Sequence, residues 1–475
     1  LEFSALVPET ALLCLAFLIF GLDLFSGGDK RRWLGWLAAV GLAVIFVLNM
    51  FWSWTGGELV FSGMLKPDLL ALLFKETFIV AAILTVLISV DYEPLKWHGE
   101  YYGLVILATL GMSLMAAATD LIMLYVALEL TSITLYILAG YLRDVPKSSE
   151  AGLKYFLFGA FSSALMLYGM SLVYGLTGET GLKEIAVVLA TLNLQLPAIL
   201  GALLLLAGFA FKIAAVPFHA WSPDVYEGAP TPVTAFVSVA SKAAGFAVLM
   251  RVFIGAFDFI RPEWIAVLGA LSVVTMTLGN LVAIPQTNIK RMLAYSSIAQ
   301  AGYVLIGVVC VSAFGVASTI FYLIMYTLTN ICAFAVVILI SNATGSDEIA
   351  DFAGLSRRSP ALALVMLLAL LSLGGIPPVA GFFGKLYIFA AAIEQGLLWL
   401  VVIGVLNAII SLYYYLIVAR VMYLEEPPSE EPVPVPALST IVLLVTGLGV
   451  ALMGFASTPF LYWATKAAET FLAGL

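Results

Sequence analysis

The sequence predicts an all-α polytopic membrane protein of about fourteen transmembrane helices, and three observations predict it. The 475 residues are 63% hydrophobic and only 11% charged, whereas soluble domains carry roughly a quarter charged residues. Apolar runs of about 20 residues, the length at which a helix crosses a bilayer, succeed one another along the chain. A few runs contain lysines and prolines, for which a purely structural spanning helix has no use.

In order, the apolar runs lie near 4–25, 33–53, 68–90, 101–118, 121–142, 153–175 and 194–218, then 232–255, 263–284, 293–313, 316–341, 359–390, 397–421 and 437–457. The first lacks a basic leader and a small-residue cleavage site, so it reads as a retained helix and not a signal peptide. Most connections are short and carry Gly, Pro or Asp, as in Ser26-Gly27-Gly28-Asp29 and Pro285-Gln286-Thr287-Asn288. The longest polar interruptions are 54–67, 343–358 and 425–436. The last is acidic and proline-rich and reads as a solvated loop, with partner docking as the alternative. The whole chain forms a single membrane domain, with no soluble one.

Composition excludes several function classes. A formal charge of −8 argues against nucleic-acid partners. Cys14, Cys310 and Cys332 sit far apart in apolar runs, and His98 and His219 are the two histidines. That leaves no pattern for zinc, an iron–sulfur cluster or a haem pair. No G-x-G-x-x-G follows a strand pattern, so no nucleotide site is expected. The chain should hold no cofactor of its own.

Orientation follows from lysine and arginine. Eleven lie in connections after odd-numbered runs: Lys30, Arg31, Arg32, Lys96, Arg143, Lys147, Lys290, Arg291, Arg357, Arg358 and Arg420. Five lie on the opposite side: Lys66, Lys183, Arg251, Arg261 and Lys466. Positive charge stays inside, which puts both termini on the non-cytoplasmic side.

The remaining five basic residues, Lys75, Lys154, Lys212, Lys242 and Lys385, fall within runs, as do Glu76 and Glu129. Each ionisable group at mid-membrane costs about 2.5–3.5 kcal/mol even on the lenient insertion scale, a naive total above about 15 kcal/mol. Lys75 adjoins Glu76, which allows a local pair. Lys154 follows a polar stretch and has an interfacial, snorkelling alternative. Lys212, Lys242 and Lys385 are flanked by apolar sequence on both sides. Lys212 precedes Pro217 by five residues, and Lys385 follows Pro377-Pro378. Proline inside a span frees a carbonyl and kinks or breaks the helix. Broken helices at matching positions in two halves point to ion sites of inverted-repeat transporters. His219, just beyond Pro217, is either a proton relay or a packing residue.

Four stretches carry a resemblance. They are Tyr125-Val126-Ala127-Leu128-Glu129-Leu130-Thr131-Ser132, the segment from Lys212 through Pro230, Lys290-Arg291-Met292-Leu293-Ala294-Tyr295-Ser296-Ser297, and Leu373 through Lys385. With the spacing of the runs, the chain resembles the subunit N family of proton-pumping NADH–quinone oxidoreductases. These are antiporter-like subunits of respiratory complex I, with Mrp-type antiporters as relatives. The resemblance implies fourteen helices, with helices 1–3 at about 4–90, one five-helix repeat at about 101–255, its inverted counterpart at about 263–421, and helix 14 at about 437–457. Helices 7 and 12 should be discontinuous. It implies a proton path through Glu129, Lys154, Lys212, Lys242 and Lys385, to which His219 is added as the relay candidate. It also implies that NADH, FMN, iron–sulfur clusters and quinone belong to partner subunits. The expected partners are the other membrane subunits, including further antiporter-like ones, and lipids; the expected place is a bacterial inner membrane. No long lateral helix is expected after the last span. Gln300 departs from the histidine that many such subunits carry after Leu-Ala-Tyr-Ser-Ser, which leaves the electron donor of the complex open.

The resulting expectation is a proton moving along buried Lys and Glu side chains, driven by electron transfer elsewhere. Moving one charge across 100 mV takes about 2.3 kcal/mol, within reach of breaking a buried ion pair. The alternatives are a stand-alone or Mrp-type cation/proton antiporter, the matching subunit of a ferredoxin-accepting photosynthetic complex, and a scaffold that pumps nothing.

Overall fold

The structure, a computed structural model, describes residues 3–27, 32–52, 57–95, 98–192, 195–427 and 429–474. Lys30, Arg31 and Lys96, counted in the charge asymmetry, lie outside the described residues.

Among the described residues the regular structure is helical. The first helices are α1 (Val7–Phe25), α2 (Arg32–Trp52), α3 (Leu69–Val90), α4 (Gly99–Ala117), α5 (Leu121–Ala139) and α6 (Pro146–Thr177). Next come α7 (Leu182–Leu192), α8 (Gln195–Ile213), α9 (Trp221–Gly228), α10 (Thr231–Phe236) and α11 (Lys242–Gly255). A π-helical turn, Val237–Ser241, joins α10 to α11 into one continuous span. Then follow α12 (Arg261–Ala283), α13 (Ile289–Val309), α14 (Ala313–Thr344), α15 (Leu355–Arg358), α16 (Pro360–Gly374) and α17 (Ala380–Glu394). The last are α18 (Leu398–Leu424), α19 (Ala437–Phe455) and α20 (Ser457–Ala473). Among the described residues, thirteen stretches are long and apolar enough to cross a membrane. The half-helices α16 and α17 together make another crossing.

Local chemistry sets the ends. Asp68, Asp120, Asn288 and Ser312 cap α3, α5, α13 and α14 by accepting backbone N–H bonds in the first turn. α6 opens on Pro146 and closes on left-handed Gly178. The Asn288 cap starts α13 four residues before the expected run at 293, which draws Lys290 into the helix.

Two opposite faces emerge from the connections. On one, Lys147 pairs with Glu227, Arg291 with Asp224 and Glu227, and Arg358 donates to the Glu431 carbonyl. The acidic segment 425–436 is therefore partly tied down: Val433 N–H donates to Ser359 Oγ at 3.0 Å. On the other face, loop backbones knit together. Lys66 N–H donates to Ala117 O, Leu121 N–H to Thr180 O, and Leu182 N–H to Thr119 O.

Four helices lie outside the expected runs, the short α9 and α15 and the longer α7 and α20. α7 occupies the connection between the sixth and seventh crossings. α20, 17 residues long, follows the last crossing and packs back against α14 and α3. It starts at Ser457, hydrogen-bonded to Tyr387 of α17, and ends where the Gly474 carbonyl accepts from Lys66. It buries Ala464, Ala467, Ala468 and Phe471, one helical face, while polar residues such as Lys466 and Glu469 lie on the rest of its surface. Its apolar content is too low and interrupted for the run search to register.

The seventh crossing breaks between α8 and α9, where Ala214 takes φ +57°, and the twelfth between α16 and α17, where Gly375 takes φ +83°. A Cβ on Gly375 would also sit 2.8 Å from Lys385 Cδ. Beyond the break, Gly381 lets α17 start against the end of α16, because a Cβ there would fall 1.7 Å from Ser372 O. Gly381→Ala is therefore expected to destabilise the folded chain by at least about 1–3 kcal/mol. Gly175→Ala, with nothing within 4 Å of the added Cβ, should leave stability equal or slightly higher. Thermal unfolding of the purified complex measures both, and equal melting would refute the close approach of the half-helices.

Candidate functional site

Long charged side chains are expensive in a molecule with this much apolar interior, so their partners define the site. Buried basic residues fall into two groups. Lys75 pairs with Glu9, Arg251 with Asp68 at 2.5 Å, and Lys290 with Asp347 at 3.5 Å. Each of these has a carboxylate. Lys212, Lys242 and Lys385 instead donate to neutral oxygens.

Lys212, 1% exposed, lies in the last turn of α8 just before the break. Its Nζ donates to Ser132 Oγ of α5 at 3.0 Å. Glu129 stands one turn earlier on α5, half-buried. Its Oε1 accepts from Ser163 Oγ of α6 at 2.5 Å. The carboxylate is near enough to act on the Lys212 charge but is hydrogen-bonded to Ser163, while Lys212 is hydrogen-bonded to Ser132. The expected pair is indirect.

Lys242, 2% exposed, follows the π turn that re-registers the span, a device common at functional positions. It donates to the Ser297 carbonyl of α13 at 2.8 Å. The Ser297 hydroxyl accepts from Tyr326 at 2.7 Å and lies 3.2 Å from the Tyr226 hydroxyl. Lys212 packs against the site of Gly245, where a Cβ would come within 3.3 Å of its Cβ. Gly245 is one turn along α11 from Lys242, so the absence of a side chain there brings the two lysine-bearing helices together.

Lys385, 5% exposed, donates to the carbonyls of Leu373 at 3.0 Å and Gly374 at 2.9 Å. These oxygens end α16 and have no further helical turn to bond, so the break supplies acceptors. The negative end of a helix also favours a cation there. The Lys385 amine sits 4.8 Å from the centroid of the Tyr303 ring.

Gln300 shares an acceptor with Lys385. It lies one turn after Ser297 on α13, and its Nε2 donates to Leu373 O at 3.0 Å, the same carbonyl that holds Lys385. Its Oε1 accepts from Tyr322. The residues run in sequence from Glu129 through Ser132, Lys212, Lys242, Ser297 and Gln300 to Lys385.

The other two expected residues lie apart from this row. Lys154 belongs to the ion-pair network of the basic face, 2.6 Å from Asp224 and 2.7 Å from Glu150, with its side chain 36% exposed. His219 sits in the break after α8, partly exposed. The local Lys75–Glu76 pair is replaced by bonds between helices: Lys75 meets Glu9 of α1, and Glu76 accepts from Asn49 of α2 at 2.8 Å. Arg251 and Lys290, counted as loop charges, are 3% and 4% exposed. Arg251 interrupts an apolar stretch from Ala247 to Ile254, and the rule that singled out Lys242 would have found it. Ser132, Ser297 and Gln300 carry no charge and gave no comparable signal. No cluster of three potential metal-binding side chains occurs among the described residues.

The two groups should respond oppositely to loss of charge. Arg251→Met strands the buried Asp68 carboxylate and is expected to cost about 3–5 kcal/mol, much of which Asp68→Asn on the same chain should restore. Lys242→Met strands no carboxylate and should cost far less. Melting of the purified complex compares them, and equal losses would contradict the division into two groups.

Residues 118–411 match the family described as "NADH:quinone oxidoreductase/Mrp antiporter, TM". The chain is 48% identical to NADH-quinone oxidoreductase subunit N of Moorella thermoacetica, over 97% of each protein. It is 46% identical to that of Desulforamulus reducens, over 99% of each. Among solved structures it superposes on a chain of respiratory complex I from Thermus thermophilus with a TM-score of 0.83 at 33% identity, covering 97% of this chain and 100% of that one.

Proposed function

Since the chain belongs to the NADH-quinone oxidoreductase subunit N family, an antiporter-like, proton-translocating membrane subunit, we propose that its protons travel along the row from Glu129 to Lys385. The observation that carries this reading is that Lys212, Lys242 and Lys385 are buried on neutral oxygens. An ammonium held by a hydroxyl or a carbonyl can lose its proton without leaving a buried carboxylate uncompensated. A buried lysine clamped to a buried carboxylate cannot.

In this mechanism a proton is taken up from the basic, cytoplasmic face and reaches Lys242. Glu129 sets the charge on Lys212, so movement of α5 against α8 changes what Lys212 can hold. Gln300 bridges the Lys242 and Lys385 regions through its amide and the Leu373 carbonyl, orienting donors and acceptors between them. Lys385 releases the proton to the opposite side. Lys154 takes part from the basic face, collecting protons with Asp224 and Glu150, and His219 relays at the first break. The driving electron transfer, with its NADH, FMN, iron–sulfur clusters and quinone, belongs to partner subunits. Residues of about 101–255 and 263–421 act as two inverted halves, each with one broken helix. The chain lies in a bacterial inner membrane with both termini on the non-cytoplasmic side.

Two tests follow. Glu129→Ala and Lys212→Ala should each reduce pumping strongly, and the double variant should lose much less than the sum, because residues acting as one unit are non-additive. Additive losses in proton-pumping vesicles would exclude the coupled pair. Lys385→Met keeps length and removes charge, while Lys385→Arg retains its proton at any working pH. Both should preserve assembly and quinone reduction while lowering the proton-to-electron ratio of the reconstituted complex. Wild-type ratios in both would take Lys385 off the path and favour a scaffold.

A further inference from the structure

On the face opposite the basic one, the molecule holds a charged cavity of about 400 Å³ lined by Lys66, Lys183, Arg251, Glu179 and Glu184. Next to it, a groove of about 550 Å³ runs between α5 and α6, lined mainly by apolar and aromatic side chains such as Leu121, Tyr125, Leu167, Met170 and Tyr174. Glu179 and Thr180 line both, so the two spaces meet at the end of α6.

The charges divide into engaged and available ones. Asp68 is bound by Arg251 and by Ala71 N–H, and Asp120 is used in capping α5. Lys66 bonds a neutral carbonyl, that of Gly474. Lys183, Glu179 and Glu184 are exposed. Burial, with Arg251 and Lys183 adding to it and Asp68 opposing, holds the Lys66 amine below its ordinary value. The available groups are two lysines beside two glutamates, a pattern that matches a headgroup carrying both a phosphate and an ammonium. Helix ends place this cavity at the membrane surface. The groove descends from there: the twelve residues from Leu167 to Gly178 rise about 16 Å, near the depth of one leaflet of a hydrocarbon core about 30 Å thick. Open space above Gly178, with nothing within 4 Å of a built Cβ, leaves the passage between cavity and groove clear.

We propose that this paired cavity and groove is a binding site for one aminophospholipid of the phosphatidylethanolamine class. Its phosphate lies against Lys66 and Lys183, its ammonium against Glu179 and Glu184, and an acyl chain lies along α5 and α6. Tyr125, one turn from Glu129, puts the bound chain next to the carboxylate end of the lysine row. The lipid covers the α5 face from which Glu129 is half-exposed.

The test uses the intact complex in lipid nanodiscs with phosphatidylethanolamine bearing a photoreactive diazirine on its acyl chain, and mass spectrometry to locate the labels. Labels are expected on the α5–α6 groove, around Tyr125, Met170 and Tyr174. Lys66→Gln with Lys183→Gln removes two lysine–phosphate attractions at a membrane surface and should weaken groove labelling about thirtyfold. Met170→Trp fills the groove and should abolish labelling while leaving both lysines in place. The matching phosphatidylcholine probe, with no N–H donor for the glutamates, should label weakly. Equal labelling by both probes, unaffected by the lysine substitutions, would mean ordinary surrounding lipid and overturn the proposal. So would an unlabelled groove whose Tyr125 cross-links to a partner subunit. Unchanged melting of the double lysine variant separates loss of binding from loss of fold.

Discussion

Keeping an ammonium in a low-dielectric interior is the constraint on which this structure depends. There are two solutions to it, and the protein uses both. Lys75, Arg251 and Lys290 each meet a carboxylate, which compensates the charge and fixes it in place. Lys212, Lys242 and Lys385 meet a hydroxyl and backbone carbonyls. The second arrangement binds the cation less firmly, and it leaves no orphaned negative charge when the proton departs. The two groups are therefore distinguished by the partner of the amine and not by burial, which is nearly the same in all six.

Neutral acceptors have to come from somewhere, and interior helices normally use their carbonyls internally. The break after Gly374 frees two for Lys385, and Gly375 is required there both for its left-handed backbone and for the lysine that passes over it. The break after α8 ends a helix at Lys212. Ala214 reaches its left-handed conformation without the freedom of glycine, a cost of about 1–2 kcal/mol that the surrounding packing must offset. The π turn before Lys242 shifts the register of a span that would otherwise be regular. Irregular backbone is tolerated at membrane depth only where protein encloses it or water reaches it; the π turn is buried throughout, whereas each break also carries exposed prolines, Pro217 in one and Pro377 and Pro378 in the other.

Much of this was legible in the sequence, for reasons that differ by residue. Lys212, Lys242 and Lys385 stood out because insertion of an unexplained charge is costly, and the prolines beside two of them marked the breaks. Partners were not legible. Ser132, Ser297 and Leu373 meet their lysines across 80, 55 and 12 residues, and uncharged side chains or carbonyls leave no trace in hydropathy. Adjacency misled for Lys75: neighbours in a helix point to different sides, so Glu76 reaches Asn49 while Lys75 reaches Glu9. Arg251 lies inside the run 232–255 although it counts with the loop charges, and Lys290 falls outside its run because that run begins after Lys290-Arg291, whereas α13 starts at Ile289. The amphipathic α7 and α20 escaped a search tuned to uniformly apolar stretches. The departure at Gln300 was visible as an oddity of sequence, and its position between Ser297 and the carbonyl that holds Lys385 explains what a neutral amide does there: it donates and accepts at once.

The central claim is that Lys242, an amine held by a single neutral carbonyl, must change its charge for protons to move. The most direct measurement is the proton-to-electron ratio of the complex carrying Lys242→Met, reconstituted in sealed vesicles with quinone reduction and the pH gradient followed together. The expected result is an assembled complex whose ratio falls below that of the wild type. An unchanged ratio in an assembled complex would show that the buried row carries no protons through Lys242, and would contradict it.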